Sequence, residues 1–248
     1  MNNTFKQRIQ KVLSESGLYS RRAVEQMIDD RKIKVNGIVV TAKGIKVDPL
    51  QDRIQVCGRA FKYTPQEETI AILFNKPRRV VVTRHDPEDR KTVYDFLPEK
   101  FKTLKPVGRL DYNTQGALIL TNDGDLILKL THPRYHLSKV YEVKLSSHPE
   151  ERLLERLRRG VIIDGQRTLP AEINVISKHR TSTLLEFVLH EGKNRQIRRM
   201  CELVGLTVKE LRRVAIGPVR IKSLHSGKFR ILDPAEIAKL KNLTSEAR

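Results

Sequence analysis

The sequence has no tryptophan, and aromatic residues make up only 5% of its 248 positions. A broad stacking platform for nucleic-acid bases is therefore excluded, and any stacking must rest on one or two side chains. Cysteine is as scarce. Cys57 and Cys201 stand far apart and neither belongs to a CxxC pair, so both are expected to be packing residues of a reduced protein, with no zinc or redox centre. No window approaches the roughly 20 apolar residues of a membrane span. The opening MNNTFKQRIQ also lacks the apolar stretch of a secretory signal. These absences predict a cytoplasmic protein with no membrane partner. Acidic residues are the last shortfall: 29 Asp and Glu face 48 Lys and Arg, a formal net charge of +19. A merely solubilising surface mixes signs and needs far less net charge, so the excess points to a polyanion such as nucleic acid.

The chain is long enough for one small and one larger domain. Phe5, Ile9, Val12 and Leu13 fall at helical spacing, and Ser20 is placed to cap a second helix that buries Ala23, Val24, Met27 and Ile28. KIKVNGIVV then alternates on either side of Asn36 and Gly37, a favoured two-residue hairpin turn, and a further strand is expected around DRIQV. Arg8, Lys11, Arg21, Arg22, Lys32 and Lys34 crowd into these first elements, making a compact basic module that ends near Gly58. The stretch RAFKYTPQEE is polar, contains Pro65 and lacks sustained periodicity, so it reads as a link. The expected boundaries are a first domain over 1–60, a linker over 61–69, a second domain over 70–240 and a tail over 241–248.

The second domain is expected to open on a buried strand, TIAILFNKP. A helix through Leu126 and Leu130 stops at Pro133, and Lys139–Leu145 alternates like a strand. SHPE, Ser147 to Glu150, has the pattern of a capping box before a helix through Leu153, Leu154 and Leu157 that Gly160 ends. Strands are expected in INVIS and TLLEFVL. A helix in HEGKNRQIRRMCELVGL should have Asn194 as cap and Gly205 as stop, and a terminal helix is introduced by Asp233, Pro234 and Glu236. Strands and helices mix without a βαβ repeat, which favours an α+β fold.

Two stretches stand out chemically. GRLDYNTQGALILTNDG presents Arg109 and Asp111 immediately before an apolar strand, although an Asp there can simply cap a turn. In HEGKNRQIRRM a helix would bury Ile197, Met200, Cys201 and Val204 and project Arg195, Arg198 and Arg199 together, which calls for an anion such as RNA phosphate or a carboxylate. Tyr141 is a third candidate that would alone pass as an ordinary strand aromatic.

These segments resemble the pseudouridine synthases of ribosomal RNA, the group comprising A-type enzymes of small-subunit RNA and B-, E- and F-type enzymes of large-subunit RNA, and sit nearest the B-type branch. The resemblance rests on Asn75–Lys76–Pro77, DPEDRKTVYDFLP, GRLDYNTQGALILTNDG, LTHPRYHLSKVYEV and HEGKNRQIRRM, and covers nearly the whole chain. Ahead of them, RIQKVLSESGLYSRRAVEQMI followed by KIKVNG resembles an S4-type RNA-binding domain. It implies an α+β protein: a small S4-type domain, then a catalytic domain with a mixed, mainly antiparallel sheet and a groove that admits a flipped-out uridine. Asp111 matches the family's essential aspartate, acting at C1′ of the target ribose. Tyr141 matches the active-site tyrosine, and Arg198 the arginine that pairs with the aspartate, with Arg195 a lesser candidate. Arg109 matches the basic residue that holds the rotated nucleotide. The resemblance also implies that Arg8, Lys11, Arg21, Arg22 and Lys34 of the first domain, with Arg195 and Arg199, contact RNA. It implies no cofactor and no metal, a monomer, and as partner 23S ribosomal RNA or an immature ribosomal subunit. The alternatives are a small-subunit (16S) RNA target, a noncatalytic ribosome-assembly factor and a helix-turn-helix DNA regulator; the first shares most motifs, and the others need no Asp111–Tyr141–Arg198 set.

Overall fold

The computed structural model describes residues 6–64 and 68–242. Phe5, Pro65 and all but the first two residues of the expected tail lie outside them. Contacts divide the chain into two compact units, Met1–Thr69 and Ile70–Arg248. No helix of the described residues is long and apolar enough to cross a membrane.

The first unit runs β1 (Gln7–Arg8), α1 (Ile9–Glu15), α2 (Arg21–Asp29), β2 (Ile33–Val35), β3 (Ile38–Val39), β4 (Lys46–Val47), β5 (Ile54–Val56) and β6 (Arg59–Phe61). Ser20 accepts a hydrogen bond from the Ala23 N–H and so starts α2 as its sequence implied. Asn36 and Gly37, with φ of 51° and 83°, supply the left-handed pair that a tight hairpin requires between β2 and β3. Ile9, Val12, Leu13, Val24, Ile28 and Ile33 form the core, while Ala23 and Met27 are only partly covered. Two expectations are corrected. The unit does not end near Gly58: β6 pairs with β5, and Phe61 and Tyr63 pack on the core, so part of the stretch read as a link is strand. Cys57 is not a packing residue; it is exposed at the turn before β6 with φ 49°, whereas Cys201 is buried and its thiol is pushed up to about 12.

The second unit comprises β7 (Ala71–Lys76), β8 (Lys105–Pro106), β9 (Gln115–Thr121), α3 (Gly124–Thr131), β10 (Lys139–Leu145), α4 (Glu151–Arg158), β11 (Ile162–Ile163), β12 (Gln166–Arg167), β13 (Glu172–His179), β14 (Ser182–Leu189), α5 (Gln196–Glu202), β15 (Val208–Ile216), β16 (Val219–Arg220), β17 (Phe229–Ile231) and α6 (Pro234–Asn242). Its main sheet has the order β13-β14-β10-β15-β9-β7-β17, with β16 on β15 and β8 on β9. Every pair in it is antiparallel except β15 with β9, which run parallel over Arg212–Arg213 against Gln115–Gly116. This short junction joins two sheet halves. One half packs α4 and α5 around Leu154, Leu157, Leu185, Phe187, Ile197 and Met200. In the other, α3 and α6 cover Leu73, Ala117 and Ile119, while Phe74, Leu118, Leu120, Tyr94 and Phe101 form a separate core. The fold is thus α+β with a mainly antiparallel sheet.

Two local signals did not act as read. Ser147 is not a cap, because α4 begins only after Glu150 and takes no side-chain cap bond; the preceding His148 is instead tied to Thr183 of β14, with Nδ1 2.9 Å from Oγ1. Asn194 is not the cap of α5, since Arg195 holds that position in a left-handed conformation at φ 49°. By contrast the Asp233–Glu236 box forms: each backbone N–H donates to the other side chain, at 2.8 and 3.2 Å.

Candidate active site

Asp111 sits in the loop that leads into β9, and that loop is fixed from inside. Leu110 is buried in the core around Phe74, and Thr114 donates its N–H to the Asp111 carbonyl at 3.0 Å. Beneath it lies Lys76, the last residue of β7 and fully buried. Its Nζ donates to the carbonyls of Pro77 at 2.9 Å, Thr114 at 2.8 Å and Tyr112 at 3.5 Å. Burial pulls its ammonium down to about 8, against the attraction of Asp111. One lysine thus ties the end of β7 to the loop just after the aspartate and leaves the half-buried carboxylate displayed. Sequence reading missed Lys76 as a site residue although it quoted the Asn75–Pro77 motif. A lysine ending an apolar run reads as a solvated strand end.

The loop has a second support. Tyr112 accepts the Arg79 N–H at 2.7 Å, and its ring lies under the Arg90 guanidinium at 5.6 Å. Arg90 in turn donates Nε and Nη2 to Asp86, both at 2.8 Å. This bidentate pair holds the Asp86 carboxyl at about 2, below the usual carboxylate range. A depressed carboxylate contributes stability that is complete above its unfolded value of about 3.9 and lost as pH falls through the folded value. Asp86→Asn is therefore expected to lower the denaturation midpoint at neutral pH, and the two proteins should converge as pH drops from about 4 through 2. Parallel denaturant titrations across that range check this; an equal gap at every pH would refute it.

The pocket beside Asp111 has a volume near 550 Å³. Its walls are the 107–114 loop with Arg109 and Asp111, the end of α3, the start of β10 with Lys139 and Tyr141, the 189–197 segment with Arg195, and Arg213 of β15. Tyr141 reaches it because alternation along β10 turns it from the strand's polar face, and it packs against the cores of both sheet halves. Arg109 and Arg195 are exposed at the pocket.

The three arginines of α5 do not project together. Arg199 donates both terminal nitrogens to Asp164, one at 2.7 Å, and so belongs to a surface ion pair. Arg195 stands 3.9 Å from Glu202. Arg198 is half-buried and donates Nη1 to the Val208 carbonyl at 3.1 Å. The expected direct pair between Arg198 and Asp111 is absent in this structure, although Arg198 lies near enough for the aspartate's charge to act on it. The separation arises because Arg195 turns left-handed ahead of the helix, breaking the helical spacing from which a shared face was inferred. In the first unit Arg8, Arg21, Arg22 and Lys34 are exposed and form no ion pair among the described residues, while Lys11 lies 3.7 Å from Glu15.

Arg213 and Lys139 were also missed. Both lie on the Tyr141 side of the sheet, a placement that depends on how β10 pairs with β15. For Lys139, the two-residue spacing to Tyr141 was the available signal.

Both units match known protein families. Residues 7–54 match the S4 domain and residues 70–203 match RNA pseudouridylate synthase. A ribosomal large subunit pseudouridine synthase B of Bacillus subtilis (strain 168) is 38% identical over 244 residues, 98% of each chain. A protein of Aquifex aeolicus (strain VF5), named as an uncharacterized RNA pseudouridine synthase, is 40% identical over 94% of this chain and 93% of its own. A crystal structure of a pseudouridylate synthase superposes with a TM-score of 0.68 at 28% identity, covering 94% of this chain and 99% of that one. With an S4 domain followed by a matching catalytic unit whose pocket gathers Asp111 and Tyr141, the chain belongs to the RNA pseudouridylate synthase family of isomerases.

Proposed function

We propose that the chain, acting as a monomer in the cytoplasm, converts one uridine of 23S ribosomal RNA to pseudouridine, with Asp111 as the nucleophile. The observation that carries this reading is the meeting of Asp111, Tyr141 and Arg109 at one pocket, with the aspartate displayed by a loop that Lys76 braces from below. The large-subunit target is taken from the Bacillus subtilis relative, similar along its whole length. The ribose C1′ and uracil C5 are shielded in a stacked base, so the uridine must turn out of its stack into the pocket. The Asp111 carboxylate then acts at C1′ as the C1′–N1 bond breaks. Tyr141, anchored between two cores, stacks on the uracil, and Arg109 at the rim holds the displaced nucleotide. Arg198 contributes through its charge and would need to leave the Val208 carbonyl to touch Asp111. Release of tritium from 23S RNA labelled at uridine C5, with no cofactor added, tests the reaction; release from 16S RNA alone would move the target to the small subunit.

The first unit is assigned to sequence-tolerant RNA binding through Arg8, Lys11, Arg21, Arg22 and Lys34. Changing Arg8, Lys11, Arg21 and Arg22 to Gln is expected to weaken RNA binding and flatten its dependence on salt by roughly 0.7–0.9 per lost phosphate contact, leaving the single-turnover rate at saturating RNA intact. Binding isotherms at several salt concentrations decide this, and an unchanged slope would refute it.

A further inference from the structure

The pocket holds more positive charge than these roles use. Lys139 and Tyr141 are two residues apart on β10 and so face the same way, and Arg213 stands opposite Tyr141 on β15. All three line the pocket with Asp111. Lys139 donates to the Leu137 carbonyl at 3.0 Å, and burial together with the neighbouring Arg213 charge pulls its ammonium down to about 8. Arg213 is 4% exposed; its Nε donates to the Ala117 carbonyl at 2.7 Å, but its buried Nη2 has no hydrogen-bond partner. A buried cationic donor left unpaired is costly, and the half-buried Lys139 ammonium beside it adds like-charge repulsion. The nearby Glu191 attracts Lys139 but less strongly than burial and Arg213 oppose its charge, and its Oε1 is held by the Leu169 N–H at 2.9 Å and Gln196 Nε2 at 2.6 Å.

We propose that Lys139 and Arg213 form the uracil end of the pocket and stabilise the negative charge that the ring acquires when it leaves the ribose. The inference rests on the reading of Asp111 as the group acting at C1′. When the C1′–N1 bond breaks, its electron pair stays with uracil, giving an anion spread over N1, O2 and O4, while Asp111 compensates C1′. After the ring turns, electrons of that anion form the C5–C1′ bond, the C5 proton departs to a base, and N1 takes up a proton. The charge on the ring appears only during reaction, so cations placed there raise the rate more than the affinity. An RNA phosphate is charged throughout and suits the exposed Arg109 and Arg195 better than the half-buried Lys139 and buried Arg213.

The test uses the full chain and 23S RNA transcribed either with uridine or with 5-fluorouridine, whose ring anion the fluorine stabilises. Single-turnover formation of the C5–C1′ linkage is followed by nuclease digestion, chromatography and mass spectrometry; the fluorinated ring has no C5 proton to lose, so its carbon-linked isomer keeps the fluorine and is scored together with its water adduct at C6. Lys139→Met is expected to slow uridine RNA by roughly 10²-fold with RNA affinity unchanged. The deficit should shrink on 5-fluorouridine RNA, and Lys139→Arg should recover most of the rate. Arg213→Lys should show the same pattern; because it also disturbs the Ala117 contact, Lys139→Met stands as the independent variant. An equal deficit on both RNAs, or a change in affinity alone, would overturn the inference. Asp111→Asn separates the two readings: if it is inactive while Lys139→Met and Arg213→Lys run at the parental rate, this inference fails alone, and if it is active the reading of Asp111 fails.

Discussion

Asp111→Asn is expected to abolish tritium release from C5-labelled 23S RNA, lowering the single-turnover rate by at least about 10³-fold, as loss of a nucleophile does elsewhere. The amide has the shape of the carboxylate but no anionic oxygen to act at C1′. The loop should survive the change, because it is held by main-chain and neighbouring groups: the Thr114 N–H on the Asp111 carbonyl, Leu110 in the core, and Lys76 on the carbonyls of Pro77 and Thr114. RNA affinity should therefore match the parent, and the fold should persist with a slightly lower thermal midpoint, because the buried Lys76 ammonium loses the attraction of Asp111. The comparison is then between two folded, RNA-binding proteins that differ in one charge. Parental release by the variant would remove Asp111 from the chemistry, whereas no release by the parent from either free RNA or immature subunits would leave a noncatalytic RNA-binding role ahead.

The largest structural effect is expected at Gly116. It is the second residue of the short parallel junction between β9 and β15, with φ 113°, and a Cβ there would stand 2.1 Å from the Arg213 carbonyl oxygen and 2.7 Å from its nitrogen. Both obstacles are backbone, so no side chain can move aside. Gly116→Ala should lower stability by about 2–4 kcal/mol, from the strained φ together with the forced separation of the strands. It should also disable the pocket, because Gly116 follows the Asp111 loop and its strand partner is Arg213. Gly124→Ala is the control: nothing lies within 4 Å of its added Cβ, and it sits at the start of α3, where alanine is tolerated or mildly favourable. Denaturant midpoints for the pair check the prediction, and equal midpoints would show that the sheet halves can part freely at this junction.

Motifs whose partners lie within a few residues were legible from sequence. The Asn36–Gly37 turn, the Ser20 cap, the strand Lys139–Leu145 and the Asp233–Glu236 box all appear as read. Even so, local pattern is only permission. Ser147–Glu150 had the letters of a capping box and made none, while Thr92 and Asp95, which went unread, form one around a short 3-10 turn. The difference lies in what else claims the side chains and where the neighbouring strand ends, and neither is local.

At the site, sequence alone determined the identity and local presentation of Asp111: a carboxylate just ahead of an apolar strand, in an order of motifs that matches one family. It also determined the surplus of positive charge and the small α+β unit in front. The tertiary structure decided which cations accompany the aspartate. Three arginines close in sequence were expected to act together; one is drawn to Asp164, one to the Val208 carbonyl, and one turns out of helical geometry. Beside Arg195 at the pocket, the sheet supplies Lys76, Lys139 and Arg213 from three separate strands. Sequence periodicity says which way a side chain faces along its own strand, but strand order and register, which set what it faces across the sheet, come from burying both sheet halves at once.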